Sequence, residues 1–522
     1  MKKLKFIKGD YILIILVTII SLVYGYHKII GYGPYSVHQW RQSDCLSFTL
    51  NYYRENLNFF QSSMNWIGKD GHGRTVSEFP IIYYTVAQLW KVFGQHEWIF
   101  RLLNLLIVYI GLFYLFKFFK QYLLNDFWAI FGVTLLFSSP VLAYYSNNFI
   151  ADAPAFGLSL IACFYYWKYY SSGFIRKLYL ACLFFLLAGL IKVTSLSVFI
   201  ILVLFHIYFV FTEKEKKKNL LALIPFAIVL AGVFAWYYYA QYYKIKGIFL
   251  LGIWPIWDLS PEKMKEIAKL FYHEMLPSYF NLAGLYFILI LFVYNVWNFR
   301  NANKFLLVLN IMAFFEVILY ILLFFQAFNV HDYYLTNMLI FIPITLLTFL
   351  DLINNTHPDI LTSKKVKIFA VLCLSLIIYS TALKTRIKYS SADFLVRNTL
   401  KVFKRSTPYW DWYHAHYAET YKSLETITLY LRKLGIKRTD KVISIPDVSI
   451  NTTLYLMDQK GFTDFGYGEF TGEERMKKFI ALGARYLITN TRSVEEQEFL
   501  KPYLKNKIGS YHNVNIYKLE GS

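Results

Sequence analysis

The chain is poor in cysteine. It has four, Cys45, Cys163, Cys182 and Cys373, in 522 residues, and the last three lie inside apolar runs. No disulfide framework and no C-x-x-C metal site can be built from them. Nucleotide fingerprints are missing too: there is no G-x-G-x-x-G and no P-loop, and GYGEF at 466–470 is only a glycine turn. Acidic residues are scarce, 33 against 54 Lys and Arg, which leaves a formal charge of +21. That excess does not indicate a nucleic-acid binder. The cations gather in short clusters between apolar runs, with no basic stripe or binding module. No short internal repeat or low-complexity tract is present.

What the chain has in abundance is apolar surface. It is 57% hydrophobic and 20% aromatic, with a mean hydropathy of +0.39. Soluble globular chains do not reach such values, and one spanning helix could not raise the average of a chain this long. The start, MKKLKFIKGD followed by YILIILVTIISLVYGY, resembles a signal peptide. Its apolar run is too long for a signal core, and no small-residue cleavage site follows, so a retained first span is predicted.

A spanning helix needs about 20 mostly apolar residues. Runs of that kind fall near 11–28, 98–118, 127–145, 151–169, 177–192, 194–211, 219–240, 279–298, 304–326, 335–352 and 366–384. The expected fold is a multi-pass α-helical membrane protein with about 11 transmembrane helices. The runs at 177–192 and 194–211 also read as one long stretch broken at Lys192. With Lys2, Lys3, Lys5 and Lys8 in the cytoplasm, the inner connections carry Lys117 and Lys120, Arg176 and Lys177, Lys214 and Lys216–Lys218, Arg300 and Lys304, and Lys364, Lys365 and Lys367. The short outer connections near 146–150 and 328–333 carry no Lys or Arg. This is the positive-inside pattern.

Three large pieces then lie outside: a loop at about 29–97, a second at about 244–278, and everything after about 385. In the first, DCLSFTLNYYREN and PIIYYTVAQLWKVFG have helical spacing and read as amphipathic helices at the membrane surface. Between them MNWIGKDGHGRTVSEFP reads as an exposed turn region. In the tail, KVISIP reads as a strand, NTTLYLMDQKG as a helix ended by glycine, EERMKKFIALGA as a helix, RYLITN as a strand and IGSYHNVNIYKLE as a last strand. The expected domains are a membrane catalytic domain at 1–384 and a small extracytoplasmic α/β domain with its linker at 385–522.

This topology puts Asp44, Glu78, Asp152, Lys192, His331 and Asp332 at one membrane face. Each has an ordinary explanation. Asp152 can cap a helix, Asp44 can pair with Arg41, Lys192 can snorkel to headgroups, and His331 can be an interfacial histidine. Together they suit glycosyl transfer from a lipid-phosphate sugar. A carboxylate takes the proton of the attacking hydroxyl, the transition state resembles an oxocarbenium ion, and a fixed cation meets the charge on the departing phosphate.

Several passages resemble the GT-C glycosyltransferases of the protein mannosyltransferase and aminoarabinose transferase type. WRQSD resembles their acid in a long first outer loop. EFPIIYYTVAQLWKVFGQHEWIFRLLN resembles the passage into their second span. SNNFIADAPAFGLSL resembles the segment with their second outer acid, IKVTS their lysine motif, and HDYYLTNMLIFIP a late outer motif. The resemblance covers roughly 1–350. It implies a GT-C fold, a polyprenyl-phosphate sugar donor and inversion. It implies Asp44 and Asp152 as catalytic acids, with Lys192, His331, Arg74, Glu78, Arg41 and Tyr334 as groups binding donor phosphate or substrate. No acid follows Asp44 where the mannosyltransferases often have Asp-Glu, so Asp44 is the base expected in that segment and Glu78 its reserve. A D-x-D pair is absent near Asp152, so no metal site and no obligatory cofactor is expected.

The implied partners are a polyprenyl-phosphate sugar, a glycan, lipid or protein acceptor, and the membrane itself, with no nucleic acid. The expected location is the inner (plasma) membrane, with the N-terminus cytoplasmic and the tail outside. Three other classes compete. A secondary transporter would use an acid near the midplane, and Glu316 in MAFFEVILYIL is such a residue. A polysaccharide polymerase or ligase would use arginines in large late outer loops, and FNVHDYYL has none. A non-catalytic scaffold would use the tail alone.

Overall fold

The structure is a computed structural model and describes residues 8–68, 71–212, 221–243, 252–402, 407–466, 468 and 471–519. Lys2, Lys3, Lys5, Lys214, Lys216–Lys218 and part of GYGEF, all used in the sequence reading, lie outside these residues. The chain forms two compact units. One comprises Met1–Gly31, Arg101–Trp236 and Gly252–Arg386, the other Tyr32–Phe100, Tyr237–Leu251 and Ile387–Ser522. The sequence reading grouped the first outer loop with the membrane domain at 1–384. The loop instead packs with the tail.

The first unit is helical, and the described part of each expected apolar run falls mainly on one helix or on two consecutive helices. Five described helices are long and apolar enough to cross a membrane by themselves: Glu97–Leu123, Leu223–Tyr242, Lys304–Leu323, Asp332–Thr356 and Lys364–Tyr389. Two further candidates are bent pairs. Asp126–Phe137 meets Pro140–Ser146 at 78°, and Pro261–Tyr279 meets Leu282–Trp297 at 87°. Pro140 opens the second half of the first pair, where it has no amide to donate and cannot continue the previous helix. The Ser139 side chain caps the new turn by accepting from the Leu142 amide. The expected runs at 11–28, 177–192 and 194–211 are shorter helices of 16, 17 and 17 residues. The run at 151–169 is the Asp152–Ser172 helix, of 21 residues.

Small residues and buried amides hold these helices together. A Cβ on Gly111 would sit 2.5 Å from the Gly157 carbonyl oxygen, so Glu97–Leu123 and Asp152–Ser172 touch backbone to backbone there. Such small-residue crossings are the usual contact between helices in lipid. Asn295, Asn310 and Thr345 form a buried hydrogen-bonded triad across three helices. At the far end of the Glu97–Leu123 helix from Arg101, Lys117 pairs with the buried Asp10 at 2.7 Å.

The second unit contains a five-stranded sheet. Its strands are β1 (Lys441–Ile445), β2 (Gly461–Phe462), β3 (Ala484–Thr489), β4 (Lys507–Tyr511) and β5 (Val514–Lys518), in the order β2-β1-β3-β5-β4. β1 is parallel to β2 and β3, while β5 is antiparallel to both β3 and β4. The α/β expectation therefore holds in kind and differs in detail. IGSYHNVNIYKLE is a hairpin of two strands turning at His512, which has a φ of 51°. The NTTLYLMDQKG helix covers only Thr452–Leu456, and its glycine, Gly461, opens β2. A Cβ at Gly461 would lie 2.0 Å from the Val442 carbonyl oxygen.

The outer loop is sewn to this sheet. Ile67 donates to the Gly461 carbonyl at 3.0 Å, and Gly461 donates to that of Asn65 at 3.1 Å. The helix Gln39–Glu55, read from sequence as a membrane-surface helix, is instead mostly buried. Its polar residues Ser47 and Asn51 bond to Asn65, and Ser47 also bonds to Asn451. Hydropathy alone cannot tell a solvated polar face from one satisfied inside a protein. The second outer helix, Ile81–Phe93, does keep an exposed flank at Val92 and Phe93.

Candidate functional site

The predicted site residues fall into two groups, one in each unit. In the helical unit, the Ile175–Ile191 helix ends at Lys192, whose backbone is extended, before a 3-10 turn at Val193–Ser195. This break frees the lysine from a helix face. Lys192 Nζ lies 3.2 Å from Oδ2 of Asp152, which is fully buried. Asp152 sits in the first turn of its helix, where the dipole favours a carboxylate. The ammonium also rests 4.8 Å from the centre of the Tyr333 ring and 5.1 Å from that of Tyr334. Aromatic faces stabilise a desolvated cation.

This arrangement brings four of the predicted residues together, Asp152, Lys192, His331 and Tyr334. The His331 ring centre is 5.1 Å from that of Tyr333 and 6.1 Å from that of Tyr334. Asp332 accepts from the Tyr145 hydroxyl. Asn337 bonds Thr194 at 3.0 Å and Ser195 at 3.1 Å, tying the late segment to the turn after Lys192. Helix starts and ends that were assigned to one membrane face from loop charges thus meet at one end of this unit.

Arg101 and Asn104 were missed as supports. Arg101 is fully buried, donates to the Asn147 carbonyl and packs its guanidinium 4.2 Å from the Phe149 ring centre. Asn104 donates to the Asn148 carbonyl at 2.9 Å. These contacts hold the SNNFIAD segment that delivers Asp152. The signal was an arginine one turn into an apolar span, a position that demands a partner.

In the second unit, Arg41 forms ion pairs with Glu78 and, at 3.8 Å, with Asp44. Arg41 also donates to Ser77 at 3.1 Å, and Tyr83 donates to Glu78 at 3.0 Å. Asn451 donates to Oδ1 of Asp44 at 2.9 Å. Burial pushes the Asp44 carboxyl up to about 7, although Arg41 and the Asn451 hydrogen bond pull it down. Burial likewise pushes the adjacent Cys45 thiol up to about 12, which keeps it protonated and inert. Asp44, Arg41 and Glu78 are thus brought together. Arg74 is exposed, bridges Ser63 through its backbone, and forms no ion pair with them among the described residues. Among the described residues no group of three or more His, Cys, Asp or Glu could hold a metal ion.

The architecture, a set of apolar helices with a small C-terminal α/β part, is the GT-C fold of membrane glycosyltransferases. Particular comparisons bear this out. The model of the family "Dolichyl-phosphate-mannose-protein mannosyltransferase" matches residues 77–239, a stretch holding Glu78, Asp152 and Lys192. The structure of ArnT from Cupriavidus metallidurans in the apo state is similar with a TM-score of 0.61 at 11% identity, covering 97% of both chains. ArnT from the same organism bound to undecaprenyl phosphate gives 0.60 at 10% identity and 99% of both chains. The Archaeoglobus fulgidus oligosaccharyltransferase gives 0.50 at 12% identity, over 92% of this chain and 69% of that one. No curated protein matches.

Proposed function

We propose that the chain is an integral membrane glycosyltransferase. It moves a hexose or pentose from a polyprenyl-phosphate donor to a hydroxyl of a lipid, glycan or protein acceptor, with inversion. The observation that carries this reading is a GT-C fold over nearly the whole chain, shared with an ArnT structure that binds undecaprenyl phosphate. The mannosyltransferase family model over 77–239 supports the same reaction class.

In this reading the acceptor oxygen attacks the anomeric carbon, and Asp44 takes its proton. The bond from that carbon to the phosphate oxygen breaks, and its electron pair leaves with the lipid phosphate. Lys192 meets the phosphate. Its ammonium is paired with Asp152, and the rings of Tyr333 and Tyr334 face the same cation. Asp152 directs Lys192 through their ion pair. Arg41 and Glu78 shape the surroundings of Asp44, and His331 joins the phosphate side. Arg74, being exposed, is available to a headgroup.

Transfer takes place on the extracytoplasmic face of the inner (plasma) membrane, with the N-terminus cytoplasmic. The positive-inside pattern supports this orientation. The 385–522 segment lies outside and positions the acceptor. The test is incubation of the purified protein with a panel of polyprenyl-phosphate sugars and hydroxyl acceptors, reading released lipid phosphate and labelled product. Ion-driven uptake in proteoliposomes, with no sugar leaving any donor, would reject the proposal in favour of transport.

A further inference from the structure

Asn451 opens the helix Thr452–Leu456, yet its side chain makes no capping bond there. It is fully buried and turned toward the outer-loop helix instead. Its Oδ1 accepts from the Trp66 amide at 2.8 Å and from the Ser47 hydroxyl at 3.3 Å. A backbone N–H can only donate, so that amide must face oxygen. The carboxamide orientation is thereby decided, and its NH2 must point the other way. There it meets Oδ1 of Asp44 at 2.9 Å.

The other carboxylate oxygen is placed differently. Oδ2 of Asp44 lies 3.8 Å from the Arg41 guanidinium, beyond hydrogen-bond reach. Nη2 of Arg41 donates to Glu78 and Ser77, while Nη1 is the nitrogen that faces Oδ2 of Asp44. Thus one oxygen of Asp44 is held by a neutral donor, while the other faces the Arg41 cation without a hydrogen bond to it.

We infer that Asn451 is a positioning residue for the transfer step: it fixes Oδ1 of Asp44, so that Oδ2 takes the proton from the acceptor hydroxyl. The inference rests on the proposed glycosyl transfer and gives the tail a role in it. The tail completes the base, across a sequence separation of 407 residues. The groups that act on Asp44 are Arg41 and Cys45 on its own helix, Glu78 beyond that helix, and Asp447 and Asn451 from the tail.

Asn451→Asp separates this role from a purely structural one. The new carboxylate still accepts from Trp66 and Ser47 but cannot donate to Asp44, and its charge opposes ionisation of Asp44. The expected result is a fall in kcat of roughly tenfold to a hundredfold at pH 7, the usual effect of losing a hydrogen bond to a charged group. The KM for a polyprenyl-phosphate sugar changes little. The acidic limb of the pH–rate profile moves to higher pH, so activity recovers in alkali. An unchanged rate, or an equal loss at every pH, overturns the inference. If Asn451→Asp does not fold by thermal melting, Asn451→Ser is read by the same profile. Failure of the unaltered protein to transfer any sugar rejects the proposed function itself, and the two failures are thereby distinct.

Discussion

Lys192 and Asp152 form a buried ion pair at 3.2 Å, although a whole helical hairpin separates them in sequence. Removing one member of such a pair strands the other charge. Lys192→Ala should therefore cost about 3–5 kcal/mol of stability, because Asp152 is left uncompensated. Thermal melting in detergent checks this. Adding Asp152→Asn to Lys192→Met should restore most of the stability and none of the activity. Transfer by either variant should fall roughly 100-fold to 1000-fold, as when a donor to a developing oxyanion is lost.

Asp44→Asn keeps the shape of the side chain and removes the base. Transfer should drop by about 100-fold to 10,000-fold, the usual contribution of a positioned general base. A melting temperature within a few degrees of the parent would show that the loss is chemical. Near-normal transfer by well-folded protein would remove Asp44 from the mechanism.

The pH dependence follows from the same carboxyl. Its pKa is raised by burial to about 7 in the folded chain, against about 3.9 when unfolded. Between about pH 4 and 7 the folded state therefore holds more protons than the unfolded one. Linkage then makes stability fall as pH rises through that window. Asp44→Asn should remove this component, seen as a flatter plot of melting temperature against pH. The transfer rate of the parent should run the other way and decline below about pH 7, as the base becomes protonated.

Glu316 provides the contrast. It lies within the Lys304–Leu323 span, beside the Ser197 hydroxyl. Glu316→Gln should leave transfer within about twofold of the parent, since the amide keeps the shape and an oxygen acceptor for Ser197 while removing the charge. A large loss in the same assay would bring the transport reading back.

At Gly461 the prediction concerns the fold alone. A methyl group there would stand 2.0 Å from the Val442 carbonyl oxygen, which belongs to a neighbouring strand. Gly461→Ala should push β2 from β1 and cost about 1–3 kcal/mol, the range for overpacking a close contact. Proteolysis between the outer loop and the tail should accelerate with it.

The membrane helices were legible in the sequence because lipid imposes a local rule. A run of about 20 apolar residues satisfies its own backbone as a helix, and no distant partner is needed to reveal it. Strands β1 and β3 were legible for a related reason, a β-branched or apolar run between turn residues. β2 was not: two residues cannot show a pattern, and Gly461 reads as a helix stop until its neighbour strand is known.

Local composition by itself therefore determined the apolar helices and singled out the candidate acids and lysine. Tertiary structure alone decided which of these touch. The burial of Gln39–Glu55, the Asn451 bond to Asp44 and the resting of Lys192 on Tyr333 and Tyr334 each join residues far apart in the chain. No periodicity records such a contact. A polar side chain facing water and one satisfied inside a protein are spelled with the same letters, and only the packed neighbours tell them apart.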